Sequence, residues 1–131
     1  MTEPDAERSD VVYLAPDGAI EPTGTWSLAS RAGDYLFVAG MRGIDPATNE
    51  LVAGAENRIR QAFVNMEHIA ISQGASLRDA VRLTVYVTDM ARYRPVVNTV
   101  QEAFWSGGPY PPRTILEVSA LNQDDIFEVE G

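Results

Sequence analysis

Residues 55–88 read AENRIRQAFVNMEHIAISQGASLRDAVRLTVYVT, and a change of hydrophobic period inside them decides the fold. Over Ala55 to Gln73, Ile59, Ala62, Phe63, Met66, Ile69 and Ala70 recur at three- and four-residue spacing, which predicts a helix with one buried face. Gly74 supplies its stop. From Ala80 to Thr88 the period falls to two. Val81, Leu83, Val85 and Val87 share one phase; Arg82, Thr84, Tyr86 and Thr88 share the other, as in a strand.

Toward the N-terminus, Tyr35–Ala39 is a continuous apolar run that predicts a strand buried on both sides or nearly so. Before it, Trp26, Leu28 and Ser30 alternate as a strand and Arg31–Asp34 reads as a turn. Val11–Leu14 is a short strand ended by Ala15-Pro16-Asp17-Gly18, and Asp45–Glu50 is a turn between short extended pieces. Toward the C-terminus, Arg94–Trp105 predicts a second helix, with Pro95 in its first turn and a stripe of Val96, Val97, Val100, Ala103 and Phe104. A Gly/Pro loop, a strand over Arg113–Ala120, a turn at Asn122–Asp124 and a strand over Ile126–Glu130 follow. The order β-β-β-α-β-α-β-β favours an α+β sheet with two helices on one face. The strands also carry apolar residues on the face without helices, which predicts an oligomer that buries it.

At 131 residues the chain suits one domain, residues 11–131, behind a polar lead-in at 1–10 expected to be disordered. It has no Cys, so disulfides, a thiolate nucleophile and Cys-based metal sites are excluded. It has one His, His68, which leaves a multi-histidine metal cluster or a His-based triad almost nothing to work with, and no Lys among its ten basic residues, which removes a Lys Schiff base. The net charge of −9 argues against nucleic acid as a partner. No apolar run approaches the ~20 residues of a membrane span, and a cytoplasmic location is the expectation. No metal site can be assembled, and Gly40-Met41-Arg42-Gly43 lacks phosphate-loop spacing.

Two places offer chemistry. In Pro111-Pro112-Arg113 a rigid loop delivers an Arg to a strand start, where its planar fork either receives a carboxylate or closes a surface salt bridge. In Ile126-Phe127-Glu128-Val129-Glu130 two carboxylates share one side of a strand, either half-buried and able to activate water or on the solvent face of an edge strand. His68 reads as a helix-terminus residue and Asp124-Asp125 as turn chemistry.

Five stretches together resemble the RidA (YjgF/YER057c/UK114) family of enamine/imine deaminases. They are Tyr35–Glu50 (YLFVAGMRGIDPATNE), Gly74–Leu77 leading into Leu83–Met90, Val97-Asn98, Pro112–Val118, and Phe127–Glu130. The resemblance implies a chorismate-mutase-like fold and a homotrimer with sites between subunits. It also implies hydrolysis of 2-aminoacrylate-type intermediates to a 2-keto acid and ammonia without metal or organic cofactor. On that pattern Arg113 binds the carboxylate of a small substrate, Glu128 positions water, Gly40 lines the pocket through its backbone, and Asn98 is structural or interfacial. Trp26 stands where many members have Tyr, Ile115 where many have Cys, and Ala39 and Met41-Arg42 depart around the glycine. Trp26 and Ile115 are thereby expected to reshape the substrate pocket, and Arg42 to add charge near it. An aminomuconate-like enamine is then an alternative substrate, and a non-catalytic regulatory trimer binding a carboxylate metabolite an alternative role. A chaperone or ribonuclease role ranks last for an acidic chain without Lys.

Overall fold

The structure, a computed structural model, describes residues 10–131. The expected lead-in therefore lies outside the described residues, apart from Asp10. Strands β1 (Val11–Leu14), β2 (Ala29–Ala32) and β3 (Tyr35–Val38) form an antiparallel meander. A short hairpin of β4 (Ile44–Asp45) and β5 (Glu50–Leu51) leads to helix α1 (Ala55–Ser72). Strand β6 (Leu83–Val87), helix α2 (Met90–Trp105) and strand β7 (Arg113–Glu117) make a parallel crossover, and β8 (Phe127–Glu130) returns antiparallel to β6.

The two ladders join into one layer. The Val38 amide donates to the Gly131 carbonyl at 2.7 Å, and Met41 and Val129 exchange amide–carbonyl bonds at 2.7 and 3.0 Å. The strand order is thus β1-β2-β3-β8-β6-β7. Between these two contacts Ala39 and Gly40 stand opposite the single residue Glu130, which is a β-bulge.

Residues paired across a ladder share a face. Leu83, Val85, Val87, Phe127 and Val129 turn one way and are buried under the helices. Phe63 of α1 sits at the centre of this layer, with ring centroids 5.7 Å from Phe104, 5.9 Å from Trp105 and 5.6 Å from Phe127. Among the described residues no helix covers the opposite face. Tyr13, Tyr35, Phe37, Tyr86, Glu128 and Glu130 lie there. No helix among the described residues is long and apolar enough to cross a membrane.

Several expected boundaries move. Tyr35–Val38 is not buried on both sides: Tyr35 is 65% and Phe37 57% exposed, because among the described residues the helices cover the other face of the sheet. Trp26–Leu28 is not strand. Ala32 pairs with Tyr35, so Arg31 and Ala32 belong to β2 and only Gly33-Asp34 turn. Strand β6 starts at Leu83, whose amide makes the first bond to the Pro112 carbonyl at 2.9 Å. Before it, Ser76 and Asp79 close a capping box around a turn of 3-10 helix, leaving Val81 exposed. Helix α2 starts four residues earlier than expected, at Met90, because Asp89 caps it through the Arg92 amide. Pro95 is then interior and deprives the Ala91 carbonyl of its helical donor. The buried face of α2 becomes Tyr93, Val97, Val100, Gln101 and Trp105, and Ala103 is exposed. Strand β7 ends at Glu117 and β8 begins at Phe127.

Candidate active site

Arg113 opens β7, the last strand of the sheet, and the Pro112 carbonyl before it is pinned to the Leu83 amide. Its register partner is Leu83, so its side chain turns toward the helices. There Nη1 donates to Asn98 Oδ1 at 2.9 Å and to Gln101 Oε1 at 2.6 Å. Both acceptors are neutral amides three residues apart on α2. Among the described residues no carboxylate pairs with Arg113, and neither Nη2 nor Nε has a protein acceptor. Burial, helped by the like charge of Arg94, lowers its pKa from the ordinary value. Arginine stays cationic nonetheless. The result is a half-buried cation whose orientation is fixed and whose charge lacks a counter-ion among the described residues. The salt-bridge alternative for Arg113 is not what these contacts support.

Glu128 sits in β8 between Phe127 and Val129, both fully buried on the helix side. Its own side chain faces the open side, opposite Tyr86. Strand β8 is interior to the layer, so Glu128 is not an edge-strand surface residue. Burial raises its pKa above the ordinary glutamate value; Arg42 opposes the rise, and Asp125 and Glu130 add to it. Glu130 on the same face accepts from the Tyr86 hydroxyl at 3.2 Å. The bulge sets Gly40 against Glu128. A β-carbon built on Gly40 would overlap Oε2 and Cδ of that carboxylate, so only glycine leaves room for it.

The structure thus brings Gly40 to Glu128, and Asn98 to Arg113. Ile115 follows Arg113 on the same side of β7 and packs on the core. The two clusters do not meet within one chain. Arg113 and Glu128 lie two strands apart, offset along β6 by three residues, and point to opposite faces. Strand spacing and rise place their Cα atoms ~14 Å apart. Trp26, 39% exposed, joins neither; it lines a cleft of about 990 Å³ with Tyr35, Arg82 and Glu130. A ligand touching both Arg113 and Glu128 therefore needs two copies of the chain.

Sequence reasoning missed three groups. Gln101 holds Arg113, and its position one helical turn beyond Asn98 was the available signal. Tyr86 faces Glu128, which only the register reveals. Asp125 is not turn decoration but is 1% exposed, bonded to Arg42 Nη1 at 2.9 Å and to Arg58 Nη1 at 3.4 Å. Arg42, expected to add charge near the pocket, is 6% exposed; both its terminal nitrogens bond to the Asn122–Asp125 turn, and its charge acts on Glu128 from there. His68 ties α1 to the Asp17 carbonyl at 2.8 Å. Among the described residues no three His, Asp or Glu side chains converge as metal ligands.

The profile of the family described as Endoribonuclease L-PSP matches residues 17–131. The structure of a RidA protein from the Antarctic bacterium Psychrobacter sp. superposes with a TM-score of 0.86 at 34% identity, covering 91% of this chain and 95% of that one. The chain belongs to the RidA family. A structure from Rhodopseudomonas palustris, described as a probable translation initiation inhibitor, is more similar still: 54% identity, TM-score 0.90, 93% and 95% coverage. A 2-iminobutanoate/2-iminopropanoate deaminase of Dermatophagoides farinae is 29% identical over 119 residues, 90% of this chain and 88% of that protein. The RidA match takes in both clusters described above, and the RidA fold agrees with the α+β arrangement of two helices on one sheet face.

Proposed function

We propose that this RidA chain hydrolyses a small 2-imino acid, or its 2-aminoacrylate-type enamine, to the 2-keto acid and ammonia in a cleft between protomers of a homotrimer. The observation that carries this reading is Arg113: a half-buried guanidinium gripped by two neutral oxygens, with no carboxylate partner among the described residues. Such a group is preorganised for an external carboxylate, which its planar fork accepts through parallel hydrogen bonds. Enamine substrates reach the same step after protonation at carbon gives the imine.

Glu128 of a neighbouring copy takes the second role. Its raised pKa makes it a better base than an exposed glutamate. It accepts a proton from water as the water oxygen bonds to the carbon of the protonated imine, giving a neutral carbinolamine. It then returns that proton to the carbinolamine nitrogen; the C–N bond breaks, ammonia leaves, and the carbonyl forms as its hydroxyl proton passes to solvent. The Gly40 bulge leaves space for the carboxylate to perform both transfers. Imines hydrolyse readily in water, so positioning and one acid–base group supply the modest acceleration required. The mite relative, a 2-iminobutanoate/2-iminopropanoate deaminase, supports the same substrate class. The assembly is supported by the opposed directions of Arg113 and Glu128 and by exposed Tyr13, Tyr35 and Phe37 on the uncovered sheet face.

Arg113→Ala tests the reading. Ammonia release from enzymatically generated iminopyruvate is expected to fall ~100-fold or more, with the fold intact by circular dichroism. Undiminished release would contradict it, and substrate binding without turnover by the unaltered protein would point to a carboxylate-binding regulator instead.

A further inference from the structure

The bulge that seats Gly40 beside Glu128 is held by its next neighbours in sequence. Met41 pairs with Val129 through two backbone bonds. Arg42 then reaches across to the turn that launches β8. Its Nη1 donates to the Asn122 carbonyl at 3.1 Å and to Asp125 Oδ2 at 2.9 Å, and its Nη2 to Gln123 Oε1 at 2.8 Å. The same Asp125 accepts from the Ile126 amide through Oδ1 at 2.7 Å, two residues before Glu128. From the other side, Asn65 of α1 donates to the Arg42 carbonyl at 3.0 Å and to the Ile44 carbonyl at 2.8 Å. The buried Arg42 side chain therefore ties the bulge segment to the turn that leads into β8, and Asn65 ties the backbone of the same segment to the helix layer.

We propose that Arg42 is a positioning residue for Glu128: it fixes the strand that carries the carboxylate against the bulge that makes room for it, and supplies a positive charge near it. The inference rests on Glu128 acting as the base. A guanidinium is suited to the task because three acceptors at different angles need a planar fork, which a Lys ammonium does not provide. Among the described residues the charged and titratable groups that act on Glu128 are few. They are Arg42 from the bulge segment, Asp125 from the turn, Glu130 from β8 itself, and the Tyr86 phenol from β6. Arg42 is the one cation among them; the three others are acidic or neutral. Asp125 opposes Arg42, so the pair acts on Glu128 as partly cancelling charges.

The test compares Arg42→Met, Arg42→Lys and the double variant Arg42→Met/Asp125→Asn in two readouts. The first is kcat and KM for ammonia release from iminopyruvate across pH. The second is the 13C titration of the Glu128 carboxyl, assigned by its loss in Glu128→Gln. Arg42→Met is expected to lower kcat about tenfold with little change in KM. It should also move the acid limb and the carboxyl titration ~0.5 pH unit or more to the alkaline side. In the double variant, with the opposing charge also gone, the titration should return toward the unaltered position. If Arg42→Met does not fold, Arg42→Lys carries the test: the titration stays in place while kcat falls, because charge is kept and the fork is lost. Folded Arg42→Met with an unmoved titration overturns the inference, whether kcat falls or not, since a merely structural side chain would leave the titration alone. Arg42→Lys with full kcat overturns it equally. The carboxyl titration needs no turnover. If the unaltered protein makes no ammonia, the deaminase reading fails separately and the titration still decides the role of Arg42.

Discussion

Glu128 is held in a state the unfolded chain would not choose. Its pKa in the fold lies above the ordinary value of 4.5, chiefly through burial, so the folded protein holds that proton more tightly than the unfolded one. The stabilising effect of the proton is full below the unfolded pKa and is lost as pH rises through the folded pKa. At neutral pH the ionised group therefore weakens the fold. Glu128→Gln is expected to melt higher than the unaltered protein at pH 7, and the gain should shrink toward zero as pH falls below the ordinary glutamate value. The same variant should release no ammonia. Equal melting temperatures at pH 7, read by calorimetry, would contradict this account of the carboxylate. At this scale the sequence was partly legible. The Pro-Pro-Arg junction and the paired glutamates stand out by residue type and spacing. Arg42 and Asp125 do not, because they are 83 residues apart and each resembles an ordinary surface charge. The faint signal was an Arg between Met41 and Ile44, both of which are buried.

Elements were legible wherever their cause is local. The stripe of α1 and the alternation of β6 are periodic within their own segments, and every residue of the α1 stripe is buried as read. Errors came where a neighbour sets the boundary. The Asp89 cap extends α2 past Pro95, the capping box delays β6, and the tight hairpin pulls Arg31 and Ala32 into β2. The packing of these elements converges on Phe63, which touches α2 and β8 at once. Phe63→Ala should cost about 3–5 kcal/mol of unfolding free energy, measured by urea titration. A loss below ~1 kcal/mol would mean that α1 does not hold the sheet in the way described.

At the scale of the whole molecule the decisive fact is direction. Arg113 and Glu128 leave opposite faces of one sheet, because their register partners, Leu83 and Tyr86, differ by an odd number of residues along β6. Register between strands distant in sequence is invisible to local periodicity, so the resemblance implies a shared site without a physical reason for it. The opposed directions support the proposal of a shared site: a lone chain cannot close both groups on one small ligand. The most direct test mixes two inactive variants. Arg113→Ala and Glu128→Gln, unfolded together in equal amounts and refolded, should regain about a quarter of the unaltered activity, since random assembly pairs an intact Arg113 with an intact neighbouring Glu128 at about that fraction of sites. Each variant refolded alone should stay inactive. Absence of any recovery in assembled mixed oligomers would show that the two residues do not act together across protomers.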